Sequence, residues 1–271
     1  MKKFEFTGET KTLLDGTVLH RIKALVCIKS NTGNVEVGDI GGWVEKEDNL
    51  SHDGNAWVYG DAEVYGNARV FSDAKVCNDA KVYGNALVYD NAWICGNAEV
   101  YDDARIHGDA KVCGNVKVLG KARVYANAWV YDNARVFGNA DVYGDTWIYD
   151  NARVYGNARI YGDSRVCGNA EVCGNARFYG NARVYGDAEV YKMEHYLVMG
   201  PIGSRNAFTT FFRTKERNIK VVCGCFFGTI DEFLAKVKQT HGDSKHAKVY
   251  RAAVEVALAQ LEDVERRNNY R

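Results

Sequence analysis

Residues 151–162 read NARVYGNARIYG, two copies of the six-residue unit that decides the fold of this chain. The unit has the consensus N/D-A-x-V-Y-G and recurs as 23 consecutive hexads from Asn55 to Lys192, without insertion or deletion. Self-similarity at a fixed short period is typical of architectures in which each repeat buries its apolar face against its neighbours. The sequence therefore predicts a solenoid over residues 55–192.

The apolar slots of the hexad indicate which side chains face inward. Alanine fills the second slot except at Val116, Thr146 and Ser164, and Val or Ile fills the fourth slot except at Phe178. Slots two residues apart share one side of a strand, whereas the third and fifth slots point the other way. Gly, Asn and Asp at the hexad boundary suit a corner, which needs positive φ or a local hydrogen bond. Each hexad is predicted to be one short strand and one corner.

An aliphatic residue followed four positions later by a small one, as in Val58 and Ala62, resembles the pattern of hexapeptide-repeat proteins, which fold as left-handed parallel β-helices. That resemblance implies three hexads per coil. At a strand spacing of ~4.8 Å, the repeats would then make a rod of seven to eight coils, roughly 37 Å long. Residues 18 apart should lie above one another on three outward faces.

The first outward face combines tryptophan with cations. A row of outward tryptophans is unusual on a solvent-facing surface, so Trp57, Trp93, Trp129 and Trp147 are predicted to form a subunit interface. The alternative is a self-stacking ladder held by cation–π contacts. The full face is Trp57, Lys75, Trp93, Lys111, Trp129, Trp147, Arg165 and Arg183.

The other two faces carry charge. The second, from Glu63 to Glu189, mixes signs and is predicted to be solvated. The third interleaves arginines, from Arg69 to Arg177, with an aromatic column from Phe71 to Tyr179, an arrangement that suits single-stranded nucleic acid. The chain has 35 basic and 35 acidic residues, so no global field attracts nucleic acid or an anionic membrane. We expect the arginines to cover tyrosine rings instead.

The eight cysteines bear on the compartment. No apolar run is long enough to cross a bilayer, and residues 1–6 lack the apolar core of a signal peptide. The sequence thus predicts a cytoplasmic protein with reduced thiols. Cys77, Cys95 and Cys113 replace aromatics at one slot of the hexad and lack the companions of a metal site. Neither a disulfide, a zinc site nor a cofactor is expected.

The segments that flank the repeats are predicted to cap or extend the rod, since solenoid ends expose unpaired strand edges. Residues 1–54 are predicted to be an N-terminal β cap, with a strand at 17–26 and a turn at Gly38–Val44 that feeds the first coil. Residues 193–271 are predicted to be a small α+β domain. Its predicted elements are strands at Tyr196–Met199, Phe208–Arg213 and Ile219–Phe226, a helix after the capping box at Thr229, and a helix from Ser244 to Val264.

Two glycine-rich turns of the C-terminal segment concentrate polar groups. Gly200–Asn206 offers backbone N–H groups, a hydroxyl and a guanidinium, and Cys223–Thr229 ends at a predicted helix N-terminus. These turns suit an anion site, with plain hairpin turns as the alternative, and the G-x-G-x-x-G and Walker spacings of nucleotide folds are absent. The residues predicted to bind the anion are Gly203, Ser204, Arg205, Asn206 and Thr229.

A second interpretation of this segment is catalytic. Cys223 or Cys225 with His241 or His246 would supply a nucleophile and a base. Buried cysteines in a strand and surface histidines between two helices are the plainer interpretation. No catalytic residue is assigned.

The resemblance to hexapeptide-repeat proteins also bears on function. Many are acyltransferases, but His107 is the single histidine of the hexads and no loop interrupts them. Similar rods with similar tails occur in prophage-type proteins without assigned chemistry. The leading hypothesis is a non-enzymatic scaffold, possibly encoded by a phage and trimeric by analogy, whose C-terminal module binds a small anion such as a nucleotide. The alternatives are a structural or protein-binding scaffold and an acyltransferase.

Overall fold

The computed structural model describes residues 1–29 and 33–261 of the chain. In that part, three strands precede the repeats and pair with one another before joining the solenoid. They are β1 (Phe4–Thr12), β2 (Val18–Ala24) and β3 (Ile40–Val44), followed by a 3-10 turn at Glu47–Asn49.

The N-terminal strands confirm one prediction and correct another. β2 is the strand predicted at 17–26. The segment predicted to be a turn is instead the strand β3, which pairs in parallel with the first repeats and sets Trp43 opposite Glu63. Leu50 likewise forms a parallel β-bridge with Val70. These partners are 20 residues apart rather than 18, so the six-residue period does not reveal them.

The repeats form strands at the third and fourth slots of every hexad, from β4 (Trp57–Val58) to β26 (Glu189–Val190). β10 (Trp93–Gly96) and β13 (Lys111–Gly114) extend for two more residues. Within the described residues these strands build three parallel sheets, each taking one strand from every coil, and the eight-stranded sheet from β4 to β25 counts eight coils. Partners are 18 residues apart, as for Trp93 and Lys111, which confirms three hexads per coil.

The interior of the rod is the predicted column of alanine and β-branched side chains. These residues are fully buried, and Phe178 takes the place of a valine in the last coil. The corners have positive φ at the sixth slot, where glycine stacks closely on the next coil. A Cβ on Gly96 would lie 2.7 Å from the backbone nitrogen of Gly114. Where aspartate occupies this slot, its carboxylate can accept a backbone N–H from the next coil, as Asp102 does from Gly120 at 3.0 Å.

Side-chain ladders run along the outside of the rod. At the first slot, amide side chains bond from coil to coil, with Asn97 donating to Asn115 and Asn115 to Asn133 at 3.0 Å each. At the fifth slot, aromatic rings stack in parallel, as Tyr65, Tyr83 and Tyr101 do at 5.0 and 4.8 Å. Such ladders add to the backbone pairing of stacked strands.

The C-terminal segment is an antiparallel sheet followed by helices. The prediction of a single strand at 219–226 is wrong, because a turn at Gly224 divides this segment into two strands. Residues 262–264 of the second predicted helix lie outside the described residues. The elements are β27 (Tyr196–Ile202), β28 (Ala207–Arg213), β29 (Ile219–Cys223), β30 (Phe226–Thr229), α1 (Ile230–His241) and α2 (Lys245–Leu261).

The two faces of this sheet have different partners. Phe212 and Val222 join the core of the rod, whereas Phe211 and Val221 pack with the helices. The alternation of side chains along a strand makes this division possible. The sheet thus closes the last coil on one side and carries α1 and α2 on the other.

Candidate anion-binding site

The two glycine-rich turns meet at one cavity of about 250 Å³ between the sheet and α1. The turn after β27 contributes Ser204 and Arg205, and the turn between β29 and β30 contributes Gly224. Antiparallel pairing of the strands in the order β27, β28, β29, β30 brings these turns to the same end of the sheet. The other lining residues are Ala207, Cys223, Cys225, Phe226, Phe233, Lys236, Val237, Thr240, His241 and Tyr250.

The first turn is shaped by its contact with α2. Gly203 has φ +74°, and a Cβ there would lie 1.8 Å from the Tyr250 hydroxyl. Glycine is therefore required both for the backbone conformation and for the space. Asn206 closes the turn with φ +46°. Arg205 extends from it across the second turn, with Nη1 3.8 Å from the position of a Cβ on Gly224.

Polar contacts fix the back wall of the cavity. The Thr209 hydroxyl donates to the Cys223 sulfur at 3.2 Å, and the Cys223 thiol lies 3.8 Å from the Tyr250 hydroxyl. Burial and the neighbouring Cys223 raise the pKa of Tyr250 to about 12. At neutral pH the Tyr250 hydroxyl is therefore a neutral hydrogen-bond donor.

The charges around the cavity favour an anion. Arg205 and Lys236 are cations, and the described lining residues include no carboxylate. Ser204, Thr240 and Tyr250 add hydroxyl groups, and Phe226 supplies an apolar surface. Guanidinium and hydroxyl donors around a partly apolar cavity match a phosphate or carboxylate.

The predicted anion-binding residues are partly brought together. Ser204 and Arg205 line the cavity, and Gly203 and Asn206 shape the turn that carries them. Thr229 lies apart, lining a different cleft beside Asp231. Its hydroxyl accepts the N–H of Glu232 at 3.2 Å as the N-cap of α1, which confirms the capping box but leaves Thr229 outside the anion cavity.

Sequence reasoning missed three polar residues of the cavity that lie on the helices. Lys236 and Thr240 are four residues apart on α1, so helical spacing places them on one face, and that spacing was the available signal. Tyr250 comes from α2, and nothing in the local sequence links it to the turn at Gly203.

The proposed pair of nucleophile and base is only partly assembled. Cys223, Cys225 and His241 line the cavity, whereas His246 is exposed on α2 and does not belong to the described lining. The Cys223 thiol is held by Thr209 and by the Tyr250 hydroxyl.

The tryptophan face forms the self-stacking ladder. Lys111 lies over Trp129 at 4.3 Å and over Trp93 at 5.8 Å, and Trp129 stacks on Trp147 at 5.5 Å. Trp57 was expected on the interface, but it is 1% exposed because the N-terminal cap covers it, with the ring of Phe4 6.5 Å away. Trp129 is 38% exposed.

The other two faces differ in detail from expectation. On the second, Glu63 is buried, and both Lys11 of β1 and Lys81 pair with it. On the third, Arg123 makes a two-point contact with Asp141 at 2.6 and 2.7 Å rather than covering a tyrosine.

His107 belongs to the aromatic column of the third face. It is stacked between Tyr89 and Tyr125 at 4.7 and 4.9 Å. Burial lowers the pKa of the His107 imidazole. Both faces of its ring are therefore occupied within the rod.

The expectation of reduced thiols throughout is wrong, because Cys95 and Cys113 form a disulfide. Their strands pair in register, which sets the two Cα atoms 4.5 Å apart, within the range that a disulfide spans. Cys77, on the preceding coil, is a free thiol.

Comparison with known proteins agrees with the architecture. The sequence model of the YdcK beta solenoid repeat matches residues 80–96, 147–162 and 152–168. The rod is similar to this repeat family. All matched segments lie in the solenoid, so they bear on the repeat and not on the C-terminal cavity. No curated protein matches the chain.

Two kinds of feature are absent from residues 1–29 and 33–261. No helix there has the length and apolar character needed to cross a membrane. No group of three or more His, Cys, Asp or Glu side chains there is arranged to hold a metal ion.

Proposed function

We propose that this protein is a non-enzymatic scaffold that binds a small phosphate-bearing ligand in its C-terminal cavity and presents that cavity at the end of a β-solenoid. The observation that carries the proposal is the convergence of both glycine-rich turns on one cavity with Arg205 and Lys236. The solenoid supplies the rigid support, because the sheet that lines the cavity also packs on the last coil.

The chemistry of the cavity selects the ligand class. Arg205 can donate two parallel hydrogen bonds to phosphate oxygens, and Ser204 and Tyr250 can add neutral donors. The volume of about 250 Å³ is below the range of about 300–1,000 Å³ for sites that enclose drug-sized ligands. We therefore expect the cavity to enclose the phosphate end of a ligand and to leave the rest of a nucleotide outside.

Two contacts support binding without catalysis. The Cys223 thiol is engaged by Thr209 and Tyr250, and His107 is enclosed by aromatic rings on the rod. Sequestering a ligand needs no catalytic group. Assembly of the rod into a trimer and an origin in a phage remain parts of this proposal.

Calorimetric titration with inorganic phosphate and with adenosine monophosphate tests the proposal. Loss of a charge-assisted hydrogen bond costs about 1.5–3 kcal/mol, so Arg205→Ala should weaken binding about 10- to 150-fold. Lys238→Ala is the matched control, since it removes an exposed cation of α1 that is not among the described cavity residues, and it should retain affinity. Equal affinities of the wild type and Arg205→Ala, or no heat with either ligand, would contradict the proposal.

A second candidate function is a protein-binding scaffold, favoured by the exposure of Trp129 beside Lys111. Exposed tryptophans are enriched in interface cores and among the residues that contribute most to binding. Light scattering on the wild type and Trp129→Ala tests whether this face joins copies of the chain. A monodisperse monomer would exclude a homotypic interface there.

A further inference from the structure

Three cysteines occupy one slot on three consecutive coils of the rod. Cys95 and Cys113 share a disulfide, and Cys77 is the free thiol on the coil before them. The strand of Cys77 pairs in register with β10, with Lys75 opposite Trp93, and the Cys77 N–H donates to the Ile94 carbonyl at 2.9 Å. Cys77 therefore lies one strand spacing from Cys95, on the side away from Cys113.

Polar and charged groups lie beside the Cys77 sulfur. The Trp93 indole N–H donates to the Cys77 Sγ at 3.0 Å, and Lys75 is a cation on the same strand. Burial has the largest effect and raises the pKa of the Cys77 thiol, whereas Trp93 and Lys75 oppose it by stabilising negative charge on sulfur, so alkaline pH favours the nucleophilic thiolate. As a thiol, Cys77 donates to the Ile94 carbonyl at 3.5 Å. The residue is half-buried, so its sulfur is not sealed inside the rod.

We propose that Cys77, Cys95 and Cys113 form a thiol–disulfide exchange site in which the disulfide moves along the rod. The Cys77 thiol loses its proton to water, and its sulfur attacks Sγ of Cys95. The Cys77–Cys95 bond forms as the Cys95–Cys113 bond breaks, and the electron pair leaves with the Cys113 sulfur, which takes up a proton. The exchange is redox-neutral and needs no external oxidant.

The solenoid supplies the geometry for this step. Displacement at sulfur needs the attacking and leaving atoms on opposite sides of the central one. Residues on successive rungs of an in-register parallel sheet lie in a row along the rod axis, so Cys77 and Cys113 flank Cys95. The two terminal cysteines are two strand spacings apart, roughly 9–10 Å, beyond the Cα separation of about 7 Å that a disulfide can bridge. Cys95 is therefore the shared member of both disulfides.

Peptide mapping of the full chain distinguishes the two disulfides. A short pulse of N-ethylmaleimide at pH 8 alkylates free thiols, and an acid quench fixes the distribution before digestion with trypsin. Cleavage after lysine and arginine places the three cysteines on peptides 76–81, 82–105 and 112–117. The wild type should yield both linked pairs, with the label on Cys113 in molecules that carry the Cys77–Cys95 bond. Cys167 and Cys173 have tyrosines on the neighbouring rungs and should enter neither pair.

Two substitutions sharpen the test. Cys77→Ser should lower the labelling of Cys113 at least tenfold, since only the Cys95–Cys113 bond can form. Cys95→Ser should abolish both linked pairs and leave Cys77 and Cys113 labelled. A wild type that is labelled at Cys77 and never at Cys113 after prolonged incubation would overturn the proposal, as would labelling of all three without a link. If either variant fails to fold, the wild-type pattern decides alone.

Discussion

Replacing Gly203 by alanine should disrupt the C-terminal cavity while leaving the rod intact. Two costs combine at this position. A left-handed backbone conformation costs an alanine about 1–2 kcal/mol. The added Cβ would also lie 1.8 Å from the Tyr250 hydroxyl, so either α2 or the turn must move, and overpacking of this kind costs about 1–3 kcal/mol. The sum is about 2–5 kcal/mol.

Gly242 provides a control in which a positive-φ glycine is replaced without a steric clash. It ends α1 with φ +54°, and a Cβ there meets nothing within 4 Å. Gly242→Ala should therefore show the conformational cost without the steric one. The difference of about 1–3 kcal/mol between the variants corresponds to about 5- to 150-fold in an opening equilibrium.

Hydrogen exchange measures that opening locally. Amides of β28 and α2 should exchange about 5- to 150-fold faster in Gly203→Ala than in Gly242→Ala. All five tryptophans precede residue 193, so their fluorescence reports on the cap and rod and should be the same in both variants. Equal exchange in the two variants would refute the steric argument, and an altered tryptophan signal would show that the damage is not confined to the cavity.

Three further predictions concern the rod, each measured as the urea midpoint of tryptophan fluorescence. Burial lowers the folded pKa of Lys3 to about 8 from 10.5. The unfolded chain therefore binds more protons between these values, and wild-type stability should rise by up to about 3 kcal/mol from pH 8 to 10.5 relative to Lys3→Met, whose profile lacks this rise. Asn133→Ala removes two ladder hydrogen bonds and should cost about 1–2 kcal/mol, whereas Lys121→Ala, at an exposed first slot, should stay within about 0.5 kcal/mol. Asp141→Ala removes the carboxylate that pairs with the half-exposed Arg123, which water can still solvate, and should cost about 1 kcal/mol, with a smaller loss in Asp141→Asn.

The solenoid could be predicted in detail because every hexad repeats the same pattern of residue types. The Ala and Val slots, the corners and the 18-residue register of the repeats all follow from one period. The strand β3 was not predicted because its partners are 20 residues away, and β1 contains no copy of the repeat. Where the chain is aperiodic, pairing depends on tertiary contacts that local sequence does not encode.

The candidate site could be predicted only in its local parts. The turn at Ser204 and Arg205 was identified from its residue types, but its meeting with Gly224 and Tyr250 depends on the sheet and on α2. Thr229 shows two local signals in competition. The Thr229 hydroxyl could bind an anion or cap a helix, and in the structure it caps α1 by accepting the N–H of Glu232.

The Cys95–Cys113 disulfide was not predicted, although the sequence contained the signal for it. The 18-residue register already placed Cys95 and Cys113 on adjacent coils, so the geometric signal was present in the sequence. The prediction of reduced thiols relied instead on the expected reducing compartment.

At both ends of the rod, the flanking segments form hydrogen bonds with the backbone of the terminal coils, and this bears on how the protein can assemble. At the N-terminal end, Lys3 Nζ donates to the Ala56 carbonyl at 2.8 Å. At the other end, Thr210 accepts the N–H of Arg183 at 3.2 Å, and Lys215 donates to the Asp187 carbonyl at 3.2 Å. Capped edges do not template end-to-end polymerisation. We therefore expect any assembly to use the lateral faces or the outer surface of the C-terminal helices, which would leave the cavity at a rod end rather than between stacked rods.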